Sequence, residues 1–240
     1  DLAKGERIYS ARFMGDRAYI VTFKEVDPLF TFDLSNPTSP KVLGELKIPG
    51  YSTYLHPVGA NHLLGLGYET EVEKMEGSNE NFVRQVGLKL SLFNVTDLNN
   101  PIEQDVEIIG GEGTYSQAVD SHKAFFIHQE KNLYGFPVSV YDYKKNPANP
   151  YIGEGAMIYT VTPESGITVT ANLISQNQSD QSYEVWDELT QRILYINDAI
   201  YLVKPQQIVS YDLNSFDQLG AVRFRQKIVE SLVGVIPPAS

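Results

Sequence analysis

Cysteine is absent from all 240 residues. Disulfides, thiol catalysis and thiolate metal sites are therefore excluded. Positive charge is scarce as well: 19 Lys and Arg stand against 30 Asp and Glu, a formal net charge of −11. A nucleic-acid binder needs a basic footprint to neutralise phosphates, and an anionic membrane surface asks for the same, so both partners are disfavoured. No apolar run approaches the ~20 residues that a bilayer-spanning helix needs, so no membrane insertion is expected. Neither a Gly-x-Ser-x-Gly elbow, nor a phosphate-binding loop ending in Gly-Lys-Ser/Thr, nor a strand–Gly-x-Gly-x-x-Gly–helix segment occurs. These gaps leave serine hydrolysis of the elbow type and the common nucleotide folds without support.

The residues that are present describe a globular β protein. Hydrophobic content is 42% and charged content 20%, outside the disordered range. Fifteen Tyr and eleven Phe, with abundant Val, Ile and Thr, favour strands. The length fits one or two domains with a sizeable core. The chain opens at Asp1 without Met, which points to a processed or excised piece, so a missing leader carries no weight.

A strand-plus-turn phrase recurs along the chain. It reads Phe30-Thr31-Phe32-Asp33-Leu34-Ser35-Asn36-Pro37, then Phe93-Asn94-Val95-Thr96-Asp97-Leu98-Asn99-Asn100-Pro101, then Val140-Tyr141-Asp142-Tyr143-Lys144-Lys145-Asn146-Pro147. A weaker copy is Val209-Ser210-Tyr211-Asp212-Leu213-Asn214. Asp or Asn bonds the backbone two residues on, and Pro presets φ and stops the strand. Short strand-like runs flank each copy. Four strands per unit, repeated at a period of about 40–50 residues, are the signature of β-propeller blades. The fold expected is all-β: a propeller of about four blades of four antiparallel strands, or an arc of a larger one.

The propeller domain is expected over residues 1–225, with blades near 6–49, 51–110, 114–162 and 167–225 and a tail at 226–240. The third blade is read as Tyr115–Val119, Ala124–His128, Val138–Tyr143 and Ala156–Val161. Matching Asp33, Asp97, Asp142 and Asp212 gives an irregular spacing, which polar insertions explain. Glu69–Arg84 and Thr162–Gln191 are read as those insertions, with Ile167–Leu173 adding a hairpin of its own. Helix is expected only at Tyr183–Leu189.

Several stretches together resemble a known family. They are Glu6–Phe23, Asp27–Phe30, Val42–Tyr51 and Ser52–Pro57, with Ser91–Val95, His122–Phe125 and Gln191–Ile196 in agreement. This pattern is similar to secreted bacterial and archaeal proteins with a C-terminal β-propeller domain, a family distantly like WD-type repeats. The resemblance covers roughly residues 5–225. It implies the fold and a secreted or cell-surface location, and it offers no catalytic residues to carry over.

Candidate chemistry is sparse. Of the four histidines, His56 in Tyr54-Leu55-His56-Pro57 is expected to line a central channel, since first strands run along the propeller axis. His122 and His128, six apart, share a face if they lie on one strand. His56 and His62 flank a turn and would face each other across a hairpin. The aspartate turns offer hard oxygens of the kind calcium takes. No Asp-x-Asp-x-Asp loop is present, however, and Asx-turn capping accounts for these residues. No metal or other cofactor is expected, with calcium the minor alternative. Glu69, Glu71, Glu73 and Glu76 form an acidic run that reads as a solvated face. Trp186, the single tryptophan, pairs with Tyr183 as a loop anchor or a sugar-stacking platform. The expected function is a protein- or glycan-binding scaffold using His56, Tyr54, Glu69 and Trp186. The alternative is a hydrolase with its site at the channel mouth, built around His56 and Glu69. An open arc would expose apolar sheet faces and self-associate.

Overall fold

A computed structural model of the chain describes residues 5–23, 27–74, 81–175, 191–204 and 207–224. The expected helix at Tyr183–Leu189, Trp186 and the tail at 226–240 lie outside the described residues. Four four-stranded antiparallel sheets follow one another along the chain. The first holds β1 (Arg7–Met14), β2 (Arg17–Phe23), β3 (Asp27–Asp33) and β4 (Lys41–Ile48). The second holds β5 (Tyr51–Val58), β6 (His62–Lys74), β7 (Asn81–Asn94) and β8 (Ile102–Ile109). The third holds β9 (Phe126–His128), β10 (Leu133–Tyr141), β11 (Tyr151–Thr162) and β12 (Gly166–Asn172). The fourth holds β13 (Arg192–Ile196), β14 (Ala199–Val203), β15 (Gln207–Asp212) and β16 (Gln218–Arg223). Each sheet is a meander, strand pairing with the next strand, which is the blade architecture expected from the repeat.

The hairpin from first to second strand needs a residue in the left-handed region, where a Cβ is costly. Gly15, Gly59, Asn132 and Asn197 fill that position in the four sheets, with φ of 59°, 62°, 52° and 53°. The turn phrase after the third strand is equally regular. The amide of Leu34 bonds the Asp16 carbonyl, that of Val95 bonds the Asn61 carbonyl, and that of Leu213 bonds the Asp198 carbonyl. These bonds make Asp33, Asn94 and Asp212 equivalent. The equivalence of Asp33 with Asp97 and Asp142 expected from the sequence is thus corrected: Asp97 matches Asn36, and Asp142 follows β10, the second strand of its sheet, where Val161, whose amide bonds the Asn132 carbonyl, holds the place of Leu34. Two Asx-type turns follow in tandem. Asp33 accepts from the Ser35 amide and Asn36 from that of Thr38; Asn94 accepts from Thr96 and Asp97 from Asn99; Asp212 accepts from Asn214, and Ser215 from Asp217.

The third sheet begins later than expected. Gln117–Val119 and His122–Ala124 are short 3-10 turns, and the sheet starts at Phe126. Its outer strand is Gly166–Asn172, which the sequence reading gave to the fourth blade. The cause is local. Ser116 caps the first turn by accepting the Ala118 amide, and its own hydroxyl donates to the Pro137 carbonyl. The segment 115–125 therefore packs as a connector. Glu69–Arg84 is corrected too. β6 and β7 run through it to Lys74 and from Asn81, with Val72 opposite Val83 and Glu71 opposite Arg84.

The core lies between sheets, not within them. Tyr19, Val21 and Leu29 of the first sheet meet Tyr51, Leu55, Leu63, Phe93 and Val95 of the second. Leu64, Leu66, Leu88, Leu90 and Leu92 of the second meet Tyr134, Phe136, Val138, Met157 and Tyr159 of the third. Phe126, Leu133, Ala156 and Ile158 of the third meet Ile193, Ile200, Leu202 and Leu213 of the fourth. Among the described residues no such cluster joins the fourth sheet to the first.

The first and last interfaces are keyed by the turn phrase of the later sheet. At the first, the Thr31 hydroxyl donates to the Leu98 carbonyl, and Leu98 packs beside Tyr19, Leu29 and Val95. Gly44 makes this approach possible, because a Cβ there would overlap the Leu98 and Asn99 carbonyl oxygens. At the last, Leu213 sits among third-sheet residues and Lys131 donates to Asn214 at 2.9 Å. Gly44→Ala should therefore destabilise the protein by about 1–3 kcal/mol, the usual cost of overpacking. Gly220→Ala, whose Cβ would meet only Ser210 Oγ at 3.7 Å, should change stability by under about 0.5 kcal/mol. Urea unfolding of both variants checks this; equal midpoints would contradict the keyed interface.

Candidate functional site

The first strands of the first two sheets share an irregularity. β1 and β2 shift register between Ile8 and Ser10, and β5 and β6 between Ser52 and Tyr54. A bulge of this kind bends the strand and re-aims the side chains beyond it. Here those side chains are Arg12 on β1 and Tyr54 and His56 on β5. The two strands pack against each other, and Ser10 Oγ donates to the Ser52 carbonyl at 2.9 Å. The 3-10 connector brings His122 and Phe125 to the same place.

The result is a polar-aromatic wall. Tyr54 Oη and His56 Nδ1 are 3.0 Å apart. The Phe125 ring lies 5.0 Å from Tyr54 and 6.1 Å from His56, and Tyr134 lies 5.7 Å from His56. Phe125, Phe136 and Tyr159 then stack inward at 6.3 and 5.9 Å. A cavity of about 330 Å³ opens beside the wall, lined by Ser10, Arg12, Thr53, Tyr54 and His122 together with Ala11 and Leu55.

Electrostatics in this wall are one-sided. Burial, helped by the nearby Arg12 guanidinium, depresses the His56 pKa to about 4, so its imidazole is neutral at pH 7. Burial raises the Tyr54 hydroxyl above its ordinary value, so it keeps its proton. Arg12 is always charged. Its Nε is buried with no hydrogen-bond partner, and no described carboxylate forms an ion pair with it. Arg17 and Arg192, half-buried too, at least donate to Asn61 and to the Gln191 carbonyl, and three further cations receive acids. Lys89 Nζ is 3.1 Å from both Glu69 and Glu103. Lys204 Nζ is 2.9 Å from Glu154, and Arg84 is within 3.0 Å of Glu71 and Glu73.

The structure thus brings together two of the four site residues read from the sequence, Tyr54 and His56. Glu69 stands elsewhere, tied to Lys89, and Trp186 lies outside the described residues. His56 opposes Leu64 on β6, and Glu69 is five residues further along that strand, about 17 Å at ~3.3 Å per residue. The histidine pairings are also corrected. His62 opposes Val58, not His56, and its Nε2 meets Gln104 Oε1 at 3.0 Å. His122 sits in a 3-10 turn while His128 ends β9, its ring 4.4 Å from Tyr195, so the two share no strand face.

Arg12, Phe125 and Tyr134 were missed by the sequence reading. The repeat held the signal for Arg12, which occupies an inner strand equivalent to the one bearing Tyr54. Among the described residues no group of three or more His, Asp or Glu is placed to hold a metal ion. The turn aspartates spend their oxygens locally. Hydrogen bonds from Ser35 to Asp33, from Asn100 and Asn99 to Asp97, and from Ser215 and Asn214 to Asp212 hold all three carboxyls below their usual range.

Comparison with known proteins agrees with this architecture. A family model described as a beta propeller domain matches residues 1–216. An uncharacterised protein of Methanocaldococcus jannaschii is 48% identical over 136 residues, which are 57% of this chain and 19% of that protein. One from Archaeoglobus fulgidus is 33% identical over 220 residues, 92% of this chain and 28% of that protein. The matched segments span only 19% and 28% of these two curated relatives. Among solved structures, a mutant of Synechocystis apocarotenoid oxygenase superposes with a TM-score of 0.39 and 10% identity, covering 93% of this chain and 51% of that one. At that score the likeness bears on neither ligand nor activity.

The depressed His56 sets a pH dependence. In the folded state His56 stays neutral down to about pH 4, whereas an unfolded histidine protonates near pH 6.5. Its contribution is therefore complete above about 6.5 and is lost as pH falls toward 4. His56→Gln should flatten the stability profile between pH 6.5 and 4, read by thermal unfolding at half-unit steps. An unchanged slope would contradict the burial of a neutral imidazole.

Proposed function

The chain belongs to the beta propeller domain family, and we propose that it works as a binding scaffold that holds a small organic anion against the β1–β5 wall. The observation that carries this reading is the unpaired Arg12. Sheltering a cation costs free energy unless an anion meets it. In a chain of net charge −11, acids are plentiful, and Lys89, Lys204 and Arg84 all receive them. Arg12 does not, and a carboxylate or phosphate from a ligand supplies what the protein withholds. The guanidinium offers a planar fork of donors suited to such groups.

Surroundings add selectivity. The cavity of about 330 Å³ stands at the small end of ligand sites. Tyr54 and Phe125 supply apolar ring surface, and Ser10, Thr53 and His122 supply polar atoms. His56, neutral and bonded to Tyr54, adds no competing charge. Sheets packed face to face keep these groups in fixed relation, so little order is lost on binding. A protein or glycan partner carrying an acidic group is accommodated by the same chemistry.

The hydrolase alternative needs His56 beside a carboxylate. Its proposed partner Glu69 is committed to Lys89 on another part of the sheet, and this disfavours it. The extracytoplasmic setting remains part of the proposal. It is supported by the family resemblance, and fractionation of the source cells tests it.

Thermal unfolding against benzoate, succinate, phosphate and neutral sugars, at equal ionic strength, tests the ligand class. A ligand that binds only the folded state stabilises by about 2.7 kcal/mol at a hundred times its Kd. For a chain of this size that is a rise of roughly 5–10 °C. We expect the rise with an organic anion and its loss in Arg12→Gln. A rise with neutral sugars alone, unchanged in Arg12→Gln, would contradict the reading.

A further inference from the structure

The two terminal sheets each present a largely apolar face that no other described sheet covers. On the first sheet, register places Phe13, Ala18, Phe32 and Val42 in one row and Ala11, Ile20 and Phe30 in the next, which ends at Glu45 on the edge strand, with Ile8 beyond them. Phe13 is 68% exposed, and Ile8 and Val42 are exposed as well. This is the face opposite Tyr19, Thr31 and Gly44, which pack on the second sheet. On the fourth sheet, Leu194, Tyr201, Ser210 and Gly220 form one row, Val203, Ile208 and Val222 another that begins at Arg192 on the edge strand, and Ile196 and Ala199 a third that ends at Asp212. Ile196 is 57% exposed, and Leu194 and Val222 are exposed too. Both faces are open at once, so neither covers the other.

We propose that each face takes a further four-stranded blade of the same kind, supplied by the additional length that the curated relatives carry. Three observations favour this occupant. First, the centres of the faces carry the chemistry buried at the three existing interfaces, rows of Val, Ile, Leu, Phe and Tyr on a four-stranded meander, with Glu45, Arg192 and Asp212 only at row ends. Contiguous apolar surface of this extent marks an interaction site.

Second, the turn phrase of the first sheet lacks its socket. The equivalent residues Val95 and Leu213 are 0% and 2% exposed because the preceding sheet receives them. Leu34 holds the same position with the same backbone bond to the hairpin, yet it is only half-buried. The device that keys the second and fourth sheets to those before them is present and empty-handed.

Third, the aligned segments make up 19% and 28% of the two relatives, which leaves length for several more units. The four sheets then form an arc, and the added blades extend it at both ends.

Carbene footprinting read by mass spectrometry tests this on two proteins: the 240-residue chain and the full-length Archaeoglobus fulgidus relative. We expect heavy labelling of the strands carrying Ile8, Phe13, Leu194, Ile196 and Val222 in the 240-residue chain at low concentration. We expect loss of that labelling at the aligned strands of the longer relative, and protection of the Leu34 position there. Equal labelling in both proteins would overturn the proposal. Protection in the monomeric 240-residue chain would overturn it too, since the chain would then cover its own faces. Protection that grows with the concentration of the 240-residue chain, and is absent in the longer relative, would assign the faces to a second copy.

Discussion

The contact on which the structure depends is the seat of one sheet's turn in the face of the sheet before it. A four-stranded meander has two apolar faces and no core of its own, so it is stable only when stacked. The turn phrase makes stacking specific. Its tandem Asx-type bonds fix the backbone so that a carbonyl and an apolar side chain project together. Thr31 takes the Leu98 carbonyl while Val95 and Leu98 enter the cluster around Tyr19 and Leu29. Gly44 is small because the backbone of the next sheet occupies the space of its Cβ. Sheets so keyed cannot slide by a residue without losing both the bond and the burial.

The candidate binding wall follows from that stacking. Bulges in β1 and β5 turn their side chains toward a common space, and the Ser10–Ser52 bond holds the two strands together. Burial then does the electrostatic work. It removes water from His56 and leaves it neutral, and it leaves the Arg12 charge as the dominant one. The same acidic composition that argues against nucleic acid makes an acid-free arginine beside a cavity conspicuous, because acids to pair with it are plentiful in the chain.

Much of the architecture was legible in the sequence because the repeat records it directly. The strand Ala18–Phe23 is apolar at nearly every position: Tyr19 and Val21 pack on the second sheet, while Ala18 and Ile20 lie on the face that no other described sheet covers. Asp33 and Asp212 announced the turn. The errors have identifiable causes. Aligning by aspartate misplaced Asp97, since Asn94 performs the same bond with an amide oxygen in place of a carboxylate. Gln117–Val119 looked like a strand because Tyr115-Ser116-Gln117-Ala118-Val119 alternates, and only the contact of Ser116 with Pro137, distant in sequence, reveals the turn. The polar run at Glu69–Arg84 read as a loop, although cross-strand pairing of Glu71 and Glu73 with Arg84 satisfies its charge within a hairpin. Arg12 went unnoticed because a single arginine on a half-exposed strand is ordinary. Its meaning appears only when neighbouring strands show that no acid accompanies it.

The most direct test of this account compares one substitution at two equivalent positions. Leu213→Ala removes a side chain received by the preceding sheet; Leu34→Ala removes its counterpart where no sheet precedes. The account predicts a loss near 2–5 kcal/mol for Leu213→Ala, as for other buried leucines, and well under half of that for Leu34→Ala, measured by urea unfolding at constant m-value. Equal losses at the two positions would show that the turn stabilises its own sheet alone, and would contradict the claim that it locks one blade to the next.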